Sequence, residues 1–231
     1  MTKDQKVEAK QRIFDAALSL FAQKGYDAVG IREIAKAAKV NISMINYYYR
    51  GKIGILKAIV NECYEKYYEA LGAIYDETVS PEDGVRDVIK KVIDFHRNNW
   101  ELIMIAMHAT PVDIPEILDL KCKWVATKRQ GAFDFFARLG LDTDDVIVMS
   151  VVRGLITTLI GEHFQFRHVW EHILKSQGRK KCAEEHHLHE TKFTFDDQYY
   201  EHYAETLATF YFNGLRGLRQ EKQQKRGGRD V

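Results

Sequence analysis

The chain has 231 residues, 45% hydrophobic and 29% charged, with a formal net charge of +1. That is enough length and apolar content for one or two domains with buried cores, and it excludes a collagen-like, low-complexity or intrinsically disordered chain. The near-neutral total conceals a division: residues 1–60 carry +6, residues 216–231 carry +4, and the stretch between carries −9. A basic head on an acidic body suits a head that meets a polyanion and a body that does not. The three cysteines, Cys63, Cys122 and Cys182, are odd in number and far apart, with no CxxC pair, which argues against a disulfide framework and fits a reducing cytoplasm. The charged start MTKDQKVEAKQ has no apolar stretch, so no signal peptide is expected. Only three prolines occur, and 3.6-residue periodicity fills most of the chain, so the expected fold is all-α.

In chain order, residues 6–24 read as an amphipathic helix with Ile13, Ala16, Ala17, Leu20 and Phe21 on one face and Gly25 as its stop. Residues 26–30 are a short connector. Ile31, Ile34, Ala35 and Ala38 give the next helix one apolar face. Lys39, Val40 and Asn41 interrupt it, and Asn41 or Ser43 can cap a short helix that runs to about Tyr49. That helix is too short to stand alone. Two short helices across a tight turn, leaving through aromatic and basic residues, form the layout of a helix-turn-helix DNA reader. A fourth helix is expected from Lys52 to about residue 73, with Ile53, Leu56, Val60, Cys63 and Tyr67 on one face.

Further on, helices are expected over 81–97, with Pro81 in the first turn, and over 100–109, nearly all apolar and buried on several sides. Another runs over 115–139 and stops at Gly140. Residues 142–144 (Asp-Thr-Asp) should cap the next, apolar through 161 and polar to about 175. Its apolar part is 16 residues long and holds Arg153, too short for a membrane span, so it reads as a buried helix. Residues 175–195 read as an irregular charged insert and 196–218 as the last helix. The basic, glycine-containing tail from Gln220 is expected to be disordered.

Three stretches resemble the TetR family of transcriptional regulators: IFDAALSLFAQKGYDAV at 13–29, IREIAKAAKVN at 31–41 and INYYYRGK at 45–52. Gly30 stands where that family has a Thr or Ser cap, Tyr48 where it has His, Tyr49 where it has Phe, and Ile53-Gly54 where it has an acidic pair. The resemblance implies an all-α protein of about nine helices. It would have a DNA-binding domain over 1–52, an effector-binding and dimerisation domain over 53–219 and a tail over 220–231. It also implies a homodimer through the last two long helices, which puts two reading helices one turn of DNA apart, roughly 34–36 Å. The expected partners are double-stranded operator DNA and a small apolar or aromatic effector, with no cofactor and no membrane.

For DNA, the candidates are Arg32, Lys39, Asn41, Ser43, Asn46, Tyr47, Tyr48 and Lys52. Asn can pair with adenine through two hydrogen bonds, and Ser or Tyr can bond base edges or phosphates. The family holds a backbone phosphate at the position of Lys52, whereas Tyr49 replaces a core Phe and is expected to pack inside. For the effector, the large soft or aromatic residues Trp100, Met104, Met107, His108, Trp124, Phe133, Phe136 and Phe164 are pocket candidates. Arg153, inside VVRGLITTLIG, is expected to be partly buried, with Glu162, an acid on another helix, or a ligand carboxylate as its partner. Cys182, His186, His187 and His189 in CAEEHHLHE form a metal candidate without finger-type spacing. The alternatives are therefore a metal-responsive regulator and a helical enzyme. The second is disfavoured because no Gly-rich phosphate loop, GxSxG or HExxH occurs. An architectural DNA binder would leave the acidic body without a use.

Overall fold

The computed structural model describes residues 3–108, 114–175 and 194–227. Among them there are nine α-helices and no strand: α1 (Lys3–Lys24), α2 (Ile31–Ala38), α3 (Ile42–Tyr49), α4 (Lys52–Ala70), α5 (Pro81–Asn98), α6 (Trp100–Ile103), α7 (Pro115–Arg138), α8 (Val146–Lys175) and α9 (Asp197–Gly227). A single 3-10 turn, Gly72–Tyr75, follows α4, and α6 continues into a π turn, Met104–His108. The helix ends have local causes. Glycines in the left-handed region end α1 (Gly25, φ +81) and α7 (Gly140, φ +76). The Ser80 hydroxyl accepts from the Asp83 amide and donates to its carboxylate, so Pro81 enters a capped first turn.

Two compact units result. One contains residues 1–69 and 98–130, the other 70–97 and 131–231. In the first, Ile13, Phe21, Ile34, Ile45, Ile55, Leu56 and Ile59 form a sealed core. There α1 packs on α2 and α3 and also on α6 and its π turn. The three-helix head is thus continuous with segments that follow α5. This packing division differs from the functional boundary read at residue 52, because α6 and its π turn pack on α1 of the head.

In the second unit Val88, Ile89, Val92 and Ile93 of α5, Phe135 of α7, Ile160 of α8 and Tyr211 of α9 are buried. The Tyr203 and Tyr211 hydroxyls donate to the carbonyls of Leu159 and Val152, at 3.1 and 3.3 Å. These bonds satisfy polar groups inside an apolar α8–α9 contact.

Four expectations are corrected. Asp145, not residues 142–144, caps α8: its carboxylate accepts from the amides of Ile147 and Val148, both at 3.0 Å. Arg153 is exposed rather than partly buried. The apolar residues of α8 occur on more than one side, so apolar neighbours in sequence did not mark the interior. The fourth helix stops at Ala70 and not near 73. Finally, α9 does not stop at Leu218. Its backbone stays helical to Gly227, as suits the run QEKQQKR, all good helix formers. The residues beyond, and the insert 176–193, lie outside the described ones.

One helix, α8, has a segment, Val146–Glu171, long and apolar enough to cross a membrane by length and composition. Only a minor part of it is buried in the second unit, its other apolar residues are exposed, and Arg153 and Glu162 fall within it.

Candidate nucleic-acid interface

Helix α3 is set by its two ends. The Asn41 side chain accepts from the Ser43 amide at 2.9 Å, so Asn41 is the cap and Ser43 is left facing out. At the other end Arg50 takes a left-handed conformation, φ +59, and its amide bonds the Asn46 carbonyl. Between them Ile45 and Tyr49 are buried, while Ser43, Asn46 and Tyr47 are exposed. Tyr47 is 73% exposed, unusual for a ring with nothing to read. Tyr48 is half-buried and meets Tyr47 edge to face at 5.0 Å, which limits the directions the Tyr47 ring can take.

Tyr49 packs inside, as its place in a core pattern required. Its hydroxyl donates to the Lys10 carbonyl at 2.9 Å, and burial pushes it up to about 12, so it stays neutral. Arg32 and Lys39 are exposed on α2 and at its end, where Lys39 ends the helix in the left-handed region, φ +54. Exposed Arg50, at the exit of α3, adds a guanidinium that the motif pattern had passed over. The sequence signal for it is a cation directly after an aromatic run.

Lys52 departs from expectation. Its ammonium donates to the carbonyls of Tyr26 and Val29 at 2.7 and 2.9 Å and stands 4.1 Å from the Tyr26 ring centre. It is half-buried on the α1–α2 connector rather than held out toward solvent. Two residues later, a Cβ added at Gly54 would overlap the backbone carbonyl of Tyr49. So the first turn of α4 meets both the connector before α2 and the end of α3.

The family profile described as "Bacterial regulatory proteins, tetR family" matches residues 13–59, the segment that holds this geometry. Over that segment the chain belongs to the TetR family. Among its relatives, a probable HTH-type transcriptional regulator, YttP, of Bacillus subtilis is 29% identical over 126 residues, 54% of this chain and 61% of that protein. The match thus spans less than two thirds of the relative. The TetR-family fold extends further than the sequence likeness. NalD of Pseudomonas aeruginosa, the secondary repressor of the MexAB-OprM multidrug efflux pump, superposes with a TM-score of 0.61 at 18% identity, over 92% of this chain and 98% of its own. The regulator FadR of Bacillus subtilis, solved in complex with stearoyl-CoA, superposes with a TM-score of 0.55 at 19% identity, over 68% and 88%. At those identities the likeness is one of fold.

The effector candidates divide between the units. Trp100, Met104, Met107, His108 and Trp124 lie in the first, and Phe133, Phe136, Arg153 and Phe164 in the second. Trp124 is committed locally. Its indole donates to the Asn61 side chain at 2.9 Å, and its ring lies nearly parallel to those of Tyr64 and Tyr68, at 6.1 and 5.8 Å. Phe164 is buried and stacks on His96 at 5.4 Å and on Tyr200 at 5.6 Å. Beside it His163 lies against Tyr203, Tyr199 and Phe195, with ring centres 4.4, 5.6 and 5.9 Å away. Its Nε2 is buried and has no hydrogen-bond partner among the described residues. His108 is exposed. A groove of about 480 Å³ in the second unit, lined by Asp76, Asp83, Asp87 and Lys91, contains none of these candidates. The metal candidates Cys182, His186, His187 and His189 lie outside the described residues, and no metal-holding group occurs among the described ones.

Proposed function

We propose that this chain is a ligand-responsive repressor that reads a palindromic operator as a two-fold dimer and is released by a small apolar effector. The observation that carries the reading is α3: its inner face, Ile45 and Tyr49, is sealed in the head, and its outer face presents Ser43, Asn46 and Tyr47. Asn46 and Tyr47 read base edges, while Arg32, Lys39, Asn41 and Tyr48 contact or border the phosphates. The dimer forms through α8 and α9, whose exposed apolar residues support it. The name of NalD supports repression, and the ligand of FadR supports an apolar effector with an acyl chain. Effector binding in the body shifts the population away from the form that fits two half-sites.

Footprinting on genomic fragments at physiological salt tests this. The expected result is protection of discrete palindromes, and replacing Asn46 and Tyr47 together by Ala should abolish the preference, since each good base contact is worth about 1–3 kcal/mol. Equal protection of random DNA by the unaltered protein would sink the proposal. For the effector, stearoyl-CoA should raise the melting temperature and release the operator, whereas Zn²⁺ alone should do neither.

A further inference from the structure

We propose that Lys52 is a positioning residue for DNA reading, one that ties the start of α2 to the first turn of α4, and not a contact to the DNA backbone. This rests on the operator-reading assignment above. The ammonium carries three N–H groups. Two donate to the Tyr26 and Val29 carbonyls, and the Tyr26 ring face occupies a third side at 4.1 Å. A phosphate would have to displace one of these partners.

The place of the grip gives it a consequence. The carbonyls it holds belong to the connector that ends at Gly30. Gly30 is the N-cap of α2 and makes no side-chain cap bond, so only its carbonyl, accepting from the Glu33 and Ile34 amides at 3.0 and 3.2 Å, starts the helix. A helix without its own cap needs its entry fixed from elsewhere, because a free N-terminus frays. Lys52 supplies that fixing from α4. The Lys24–Glu33 ion pair, at 2.5 Å, ties α1 to the first turn of α2, and the Val29 amide bonds the Tyr26 carbonyl at 3.3 Å within the connector, but neither of these bonds reaches α4. At Gly54 the same turn of α4 abuts the last carbonyl of α3. Both helices of the reading motif are thereby indexed to one turn, and Lys52 is the polar half of that index.

The two roles separate in salt. Each phosphate contact contributes about 0.9 to the slope of log K against log salt concentration, and a positioning residue contributes nothing. In the full-length protein, binding to a footprinted operator duplex is measured across a salt series for the unaltered chain and for Lys52→Met. The expected result is an affinity about tenfold lower at every salt concentration with an unchanged slope. The Glu33 and Ile34 amides should also exchange faster in the free variant. A slope smaller by about 0.9 for each protomer, or an affinity that does not change, overturns the inference. If Lys52→Met fails to fold cooperatively, Tyr26→Leu keeps the cation and both carbonyls but removes the ring face. It should weaken binding with the slope unchanged and hasten exchange at the same amides, and unchanged affinity and exchange would overturn the inference. Failure of the unaltered protein to protect any discrete site instead defeats the operator reading, and leaves the amide exchange as the measure of the clamp.

Discussion

Alanine usually stabilises a helix interior over glycine by roughly 0.5–1 kcal/mol, yet at Gly54 the added methyl would overlap the Tyr49 carbonyl oxygen. Backbone cannot swing away as a side chain tip can, so Gly54→Ala should cost the head about 2 kcal/mol or more in chemical unfolding. A gain in stability would show that α3 and α4 do not meet as described. Gly30→Ser is the opposite case. Its backbone is extended, open space surrounds the added Cβ, and a hydroxyl there can cap α2, so a gain of a few tenths of a kcal/mol is expected. At His163, burial first and the Arg167 guanidinium second hold the imidazole down to about 4. The unfolded chain takes up that proton near its ordinary value, about 6.5, so the folded state loses ground as pH falls from there toward 4 and keeps its full advantage above. Melting His163→Phe at pH 7 and pH 5 should show a smaller drop than the unaltered chain shows. Equal drops would mean that the ring is not shielded.

At the scale of elements, much was legible because it is local. Gly25 and Gly140 ended helices where the apolar period ended, and the burial of Ile34, Ala35 and Ala38 on α2 followed from their spacing. The two sides of α3 were legible too: Ile45 and Tyr49 are four apart and inside, Asn46 and Tyr47 beside them and outside. What escaped depends on contacts distant in sequence. Lys52 meets Tyr26 and Val29 across more than twenty residues, and nothing in the INYYYRGK pattern distinguishes a cation resting on carbonyls from one held out for a phosphate. Trp124 was readable as large and apolar, but not as the neighbour of Asn61, Tyr64 and Tyr68. Arg153 was misplaced because α8 is apolar on more than one side, so period alone does not say which side is inside. The extension of α9 past Leu218 follows the helix propensity of QEKQQKR, which its net basicity does not reveal.

At the scale of the molecule, the second unit leaves apolar side chains in water that a monomer has no use for. Val146, Ile147 and Val151 near the start of α8, Phe166 and Val169 further along it, and Phe210 on α9 are all more than half exposed. A two-fold contact through α8 and α9 would cover them and hold two heads at one spacing. A charge placed there, Val151→Glu, should shift the protein from dimer to monomer in sedimentation and weaken the operator complex while the melting of the head persists. An unchanged dimer would move the interface elsewhere. On the proposed reading the charge division follows the same logic, since an acidic stretch would be held off the polyanion that the basic head approaches.

The Tyr64–Tyr68–Trp124 group has an optical consequence. The chain holds three tryptophans, Trp100, Trp124 and Trp170, and the Trp124 indole N–H donates to Asn61 of α4. With Trp100 and Trp170 changed to Phe, the remaining emission comes from a fluorophore whose polarity, hydrogen bond and ring neighbours all belong to α4. A change in its wavelength or lifetime would then report rearrangement between α4 and α7 in real time, without any attached dye.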